Sequence, residues 1–167
     1  MAYDKLFESR VGRKARLPII KNVIFKRSCM KINVGDIIAI PIQEHQFVFG
    51  RVYSDATIAI YDFLSDTFNS HEAACKSKIL MFSGYFDTSV KSQKWKIVGH
   101  ISFPSPEHAW APPVYIQDIL DSNKYRIYHK GVMKSCLKSE TQGMERQLMR
   151  KPEELVKAIK ARMVVEN

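Results

Sequence analysis

The chain has 167 residues, of which 46% are hydrophobic and 26% charged. That supports one soluble globular domain with a sizeable core and leaves no run near the roughly 18 apolar residues of a membrane span. The formal net charge of +9 is uneven, with nine Lys or Arg against two acids in residues 1–31, eight against ten in 32–129 and nine against five in 130–167, which argues against a nucleic-acid groove built into the middle of the fold.

The opening Met1-Ala2-Tyr3-Asp4-Lys5 alternates acid and base and has no apolar core, so it does not read as a secretory signal. A short helix is expected from about Asp4 to Arg10, ended by Gly12, and a strand over residues 19–28. Gly35-Asp36 turns into a strand over Ile37–Ile42, whose Pro41 demands an edge or a bulge. Gln43-Glu44-His45-Gln46 is a hairpin loop, Phe47–Tyr53 the return strand and Thr57–Phe63 a third, which together make a meander. One helical turn is expected at Ser70–Lys76. Strands follow at Lys78–Phe86 and Lys94–Phe103, and Trp95 points opposite to its flanking lysines. The four prolines between Phe103 and Pro113 forbid regular structure there. Val114–Ile119 and Lys124–Tyr128 return to strand character, and Lys130-Gly131 turns into Val132–Leu137. Ser139 with Gln142 fits a capping box. Pro152, Glu153 and Glu154 open a second helix with Leu155, Ile159 and Met163 on one stripe.

Chemistry-bearing patterns are sparse. Cys29, Cys75 and Cys136 are odd in number and widely spaced, which suits reduced, buried thiols better than a disulfide framework or a zinc site. The histidines at 45, 71, 100, 108 and 129 include no helical i, i+4 pair, so neither metal nor other cofactor is expected. His100 and His129, with Lys94 or Lys96, could imitate the acid–base pair of an RNA-cleaving site, although half-buried strand and turn positions explain both without catalysis. No nucleophile elbow, phosphate loop or dinucleotide fingerprint occurs. Asp62, Asp66 and Asp87 read as solvated turn acids, and Trp110, inside the proline-rich loop, as a plug for the core or an interface anchor.

One relay of phrases resembles a known family. It comprises Lys31-Ile32-Asn33-Val34-Gly35-Asp36, Ile40-Pro41-Ile42, Phe49-Gly50-Arg51-Val52, Lys78-Ile79-Leu80, and Lys91-Ser92 before Trp95-Lys96-Ile97-Val98-Gly99. It continues through Pro112-Pro113, Gln117-Asp118 and Tyr125-Arg126-Ile127-Tyr128. In order and spacing these are similar to immunity protein 26, a family of bacterial antitoxins encoded beside polymorphic toxins. Gly143-Met144-Glu145-Arg146 looks like that family's Gly-Leu-Glu segment. The first 30 residues have no counterpart in the resemblance, and Leu148-Met149-Arg150-Lys151-Pro152 stands where the family often has an aromatic–acid–proline phrase.

The resulting expectation is an α+β domain, mainly a twisted antiparallel β-sheet or open barrel with C-terminal helices, over residues 31–167. Residues 1–30 form a basic extension docked on it. The resemblance implies a cytoplasmic protein that binds a cognate toxin domain, does no chemistry and needs no cofactor. Many toxins of this kind are nucleases, whose grooves are positive, so Asp62, Asp66, Asp87 and Trp110 are the candidate toxin contacts. Nucleic acid is left to the basic ends and membrane binding is not expected. The rival reading is a small RNA-binding or endoribonuclease barrel, because Gly-Asp-hydrophobic-Pro also looks like the barrel of toxins that cut messenger RNA.

Overall fold

A computed structural model describes residues 31–92 and 95–165. The expected helix near residues 4–10, the strand at 19–28 and the docking of residues 1–30 lie outside the described residues. In chain order the strands are β1 (Asp36–Gln43), β2 (Gln46–Tyr53), β3 (Thr57–Ser65), β4 (Ile79–Tyr85), β5 (Lys96–His100), β6 (Val114–Gln117), β7 (Tyr125–His129), β8 (Val132–Cys136), β9 (Glu145–Arg146) and β10 (Met149–Arg150). The helices are α1 (His71–Ala74), α2 (Thr88–Lys91) and α3 (Pro152–Val165).

Alternation of side chains organises the first sheet. β1 to β4 form an antiparallel meander, β5 adds antiparallel to β1, and β10 adds parallel to β4. Ile38, Ile40, Val48, Val52, Ile58 and Ile60 face one way and are covered by α3, whose Leu155 and Ile159 are fully buried. Ile37, Ala39, Phe49 and Tyr61 face the other way and meet Ala74 of α1. Burial on both faces explains why β1 is an almost continuous apolar run. Pro41 lies where its missing donor is harmless: the ladder to β5 ends at Ala39 opposite Lys96, and the register with β2 shifts between Pro41 and Gln43. Trp95 is 3% exposed and packs into the core beneath α3.

After β5 the chain crosses to a second sheet, and the open end of β2 holds the crossing. The Arg51 guanidinium donates to Ile101 O at 2.7 Å and lies 3.6 Å from the Phe103 ring centre. Tyr53 packs edge-on against Phe103 at 4.7 Å, and Ser54 N–H donates to Ala109 O at 2.8 Å. The second sheet has the order β8-β7-β6-β9. β9 runs parallel to β6, and β10 follows it after two residues in the first sheet. The segment therefore staples the sheets together. Glu145 accepts from Arg162 of α3 at 2.7 Å and from Phe82 N–H at 3.3 Å, and Arg150 donates to Ser83 Oγ at 2.8 Å. Gly84 leaves room for this pairing: an added Cβ would displace the Met149 side chain and press on Leu148 O at 3.1 Å.

The α+β expectation holds: among the described residues there are ten strands in two open sheets and a long C-terminal helix. The sheets do not close into a barrel. The helix expected from Ser139 is a single 3₁₀ turn, Lys138–Thr141. Glu140 reaches back to Leu137 N–H at 2.6 Å, and Gly143 at φ +79 sends the chain into β9. The cap is made by Glu140 on Leu137 and not by the expected Ser139–Gln142 pair, and the extended Gln142 followed by the left-handed Gly143 ends the turn before a helix can propagate.

Candidate functional site

The β6–β7 connection is the most unusual surface. Asp118 Oδ1 accepts the N–H groups of Leu120 at 2.9 Å and Asp121 at 3.1 Å, while Oδ2 accepts from Arg126 at 2.9 Å. Asp121 in turn receives Asn123 N–H at 3.1 Å and pairs with Lys124 at 3.2 Å. Gln117 bridges Ser122 O and the Tyr125 hydroxyl at 2.9 and 3.1 Å. These bonds fix a tight loop whose tip carries Ile119 and Leu120, 96% and 97% exposed. Leaving two aliphatic side chains in water forgoes about 1.5–3 kcal/mol each compared with burial. The two amide donors, and then the Arg126 charge, hold the Asp118 carboxyl below the usual carboxylate range.

Apolar exposure continues along the same sheet. Val132 and Met133 on β8 are 55% and 48% exposed, and Leu137 just after it is 71% exposed. An open groove beside β8 is lined by Pro113, Ile127, Val132, Lys134 and Met144. Charge differs between the two sheets. Asp36 to Trp110 carries six Lys or Arg against eight acids, and Val114 to Arg150 seven against four. The second sheet thus combines exposed apolar groups with a basic surround, a composition suited to a protein partner.

The four residues expected to contact a partner do not form one patch. Asp62 lies half-buried on β3 with its N–H on Lys78 O at 2.8 Å, and Asp66 is exposed just past the strand. Asp87 precedes α2 and pairs with Lys91 at 3.0 Å. The ladder sets Thr57 opposite Gly84 and Tyr61 opposite Ile79, so Asp87 follows the end of β4 that faces Thr57, and Thr57 itself lies roughly 16 Å along β3 from Asp62 at about 3.3 Å per residue. Trp110 lies half-buried in the cleft between the sheets with Asp55, Phe82, Val114 and Tyr128. In that cleft the Tyr128 hydroxyl donates to Asp55, which raises the phenol's pKa, and Lys130 bonds Glu107, which lowers the carboxyl's.

His100 and His129 lie on different sheets, on β5 and β7. His100 instead stands between Asp36 Oδ1, 2.8 Å from Nδ1, and Ser102 Oγ, 3.1 Å from Nε2. The order Asp–His–Ser has the connectivity of a nucleophilic triad. Its surroundings differ from one: the His100 side chain is 48% exposed and Ser102 is exposed, so water is not excluded from the hydroxyl. Asp36 is 5% exposed and also receives Asn33 N–H at 2.8 Å. It thereby ties the start of β1 to the end of β5. Among the described residues no three His, Cys, Asp or Glu side chains gather as metal ligands, and no helix is long and apolar enough to cross a membrane.

In the sequence Ile119 is legible only as the end of the expected strand Val114–Ile119, which the structure ends at Gln117, and Leu120 carries no assignment. The signal that marks them is Asp118-Ile119-Leu120-Asp121: two adjacent aliphatics between turn-forming acids cannot both face a core.

A comparison with protein families matches residues 33–126, more than half of the chain, to the family model described as Immunity protein 26. No curated protein and no solved structure matches the chain.

Proposed function

The chain belongs to the immunity protein 26 family, and we propose on that premise that it binds a cognate toxin domain in the cytoplasm and blocks it. The observation that carries the binding reading is the braced exposure of Ile119 and Leu120. A rigid apolar tip is a ready-made anchor, because it loses little freedom when a pocket receives it. Neutralisation needs an affinity of about nanomolar, near −12 kcal/mol, and an interface of roughly 1,600 Å² can supply it.

In this reading the chain does no chemistry: purified protein leaves RNA, DNA and simple esters intact, and turnover abolished by His100→Ala would refute that. Asp62, Asp66 and Asp87 are proposed as charges that steer a basic toxin, with Trp110 as a second apolar contact. Reversing the three aspartates to lysine should slow association and weaken its salt dependence, because rim charges act mainly on the association rate. An unchanged association rate would remove them from the interface. The direct test of the function is co-expression. A toxin domain encoded beside this chain should arrest cells alone, and both growth and a co-purifying complex should return with the chain. Continued arrest, with no complex, would contradict the proposal.

A further inference from the structure

β8 is the outermost strand of its sheet, and no strand lies beyond it among the described residues. Its register with β7 runs from His129 opposite Val132 to Tyr125 opposite Cys136. The two-residue turn has Lys130 at φ +51 and Gly131 at φ +78, the geometry of a type I′ hairpin. In such a hairpin the residues flanking the turn exchange both hydrogen bonds, and bonded pairs alternate from there. Val132, Lys134 and Cys136 therefore bond β7, whereas Met133 and Ser135 aim their N–H and C=O groups outward. A free edge of this kind is a template for another strand. On one face of this sheet a groove runs from Pro113 and Met144 across Ile127 of β7, and Val132 and Lys134 bound it on the side of the free edge.

We propose that the β8 edge docks an extended acidic segment of the toxin by strand addition; this deepens the toxin-binding reading and rests on it. Charge selects the occupant. Lys134 stands at the centre of β8 and Lys138 just past its end, and neither has an ion-pair partner among the described residues. A second copy of this chain pairing antiparallel about the strand centre would set Lys134 against Lys134, and like charges directly opposite are unfavourable. The chain's own residues 1–30 carry eight Lys or Arg against two acids, a charge that does not complement these lysines. An acidic strand meets both lysines favourably, and its alternate apolar residues pack against the exposed Val132 and Met133 of β8.

The test is amide hydrogen exchange on the full chain with two synthetic probes, a peptide alternating Glu and Val and one alternating Lys and Val. Without peptide, Met133 and Ser135 should exchange fast while Val132 and Lys134 are protected. At about ten times its Kd the Glu–Val peptide should slow Met133 and Ser135 about tenfold, the Lys–Val peptide should not, and Lys134→Glu should invert that preference. Slow exchange at both amides before peptide is added overturns the proposal: relief on dilution assigns the edge to a second copy, and relief on removing residues 1–30 assigns it to the chain itself. Equal effects of the two peptides, or no effect, overturn it as well. A chain that binds the acidic peptide at β8 yet fails to rescue arrested cells refutes toxin neutralisation and leaves the docking edge standing. Rescue without peptide preference refutes the docking edge alone.

Discussion

Asp118 shows how one carboxylate can build a presentation device. Its oxygens hold two amides and a guanidinium, and the side chains that benefit are the two aliphatics pushed into water. Because its pKa is lowered on folding, the stabilisation is fully present above the unfolded value of about 3.9 and is lost as pH falls through the folded value. The Leu120 and Asp121 amides should thus stay protected from exchange through the neutral range and lose protection only in strong acid; loss near pH 5 would contradict the bracing. Trp95 is the opposite case, legible in the sequence from its position between Lys94 and Lys96. Since it is 3% exposed, Trp95→Ala should destabilise by about 3–5 kcal/mol, seen as a fall in the denaturant midpoint. A wild-type midpoint would show that its burial contributes nothing.

At the scale of elements, the strands from β1 to β8 were legible because period-two alternation and turn residues are local signals, as at Lys130-Gly131. The segment from Lys138 to Arg150 was not. β9 and β10 have two residues each and exist because β6 and β4 offer parallel ladders from distant parts of the chain. Local propensity carries no trace of such partners, and the Ser139–Gln142 spacing pointed to a helix instead. α3 was legible from Pro152, the early acids and the stripe at Leu155, Ile159 and Met163. With Leu155 and Ile159 fully buried against the sheet, Leu155→Ala or Ile159→Ala should destabilise by about 2–5 kcal/mol each. Thermal unfolding checks this, and values under 1 kcal/mol would mean that α3 is not part of the cooperative core.

For the whole molecule, the division into two sheets separates two tasks. The larger sheet is buried on both faces and supplies stability; the smaller one exposes apolar side chains amid basic charge. The charge split along the chain was legible, but its allocation to separate sheets was not, because the crossing after β5 is fixed by Arg51, Tyr53 and Ser54, remote contacts without a sequence pattern. For the same reason the three aspartates, neighbours in a charge count, stand at two ends of the sheet. The central claim is that the braced tip of the smaller sheet anchors a toxin. Calorimetric titration of the neighbouring toxin domain with the double variant Ile119→Asp, Leu120→Asp tests it most directly, since both side chains are exposed and their loss leaves the core intact. The account predicts an affinity about 100-fold weaker or more than that of the unaltered chain, with thermal stability unchanged. An unaltered Kd would contradict it.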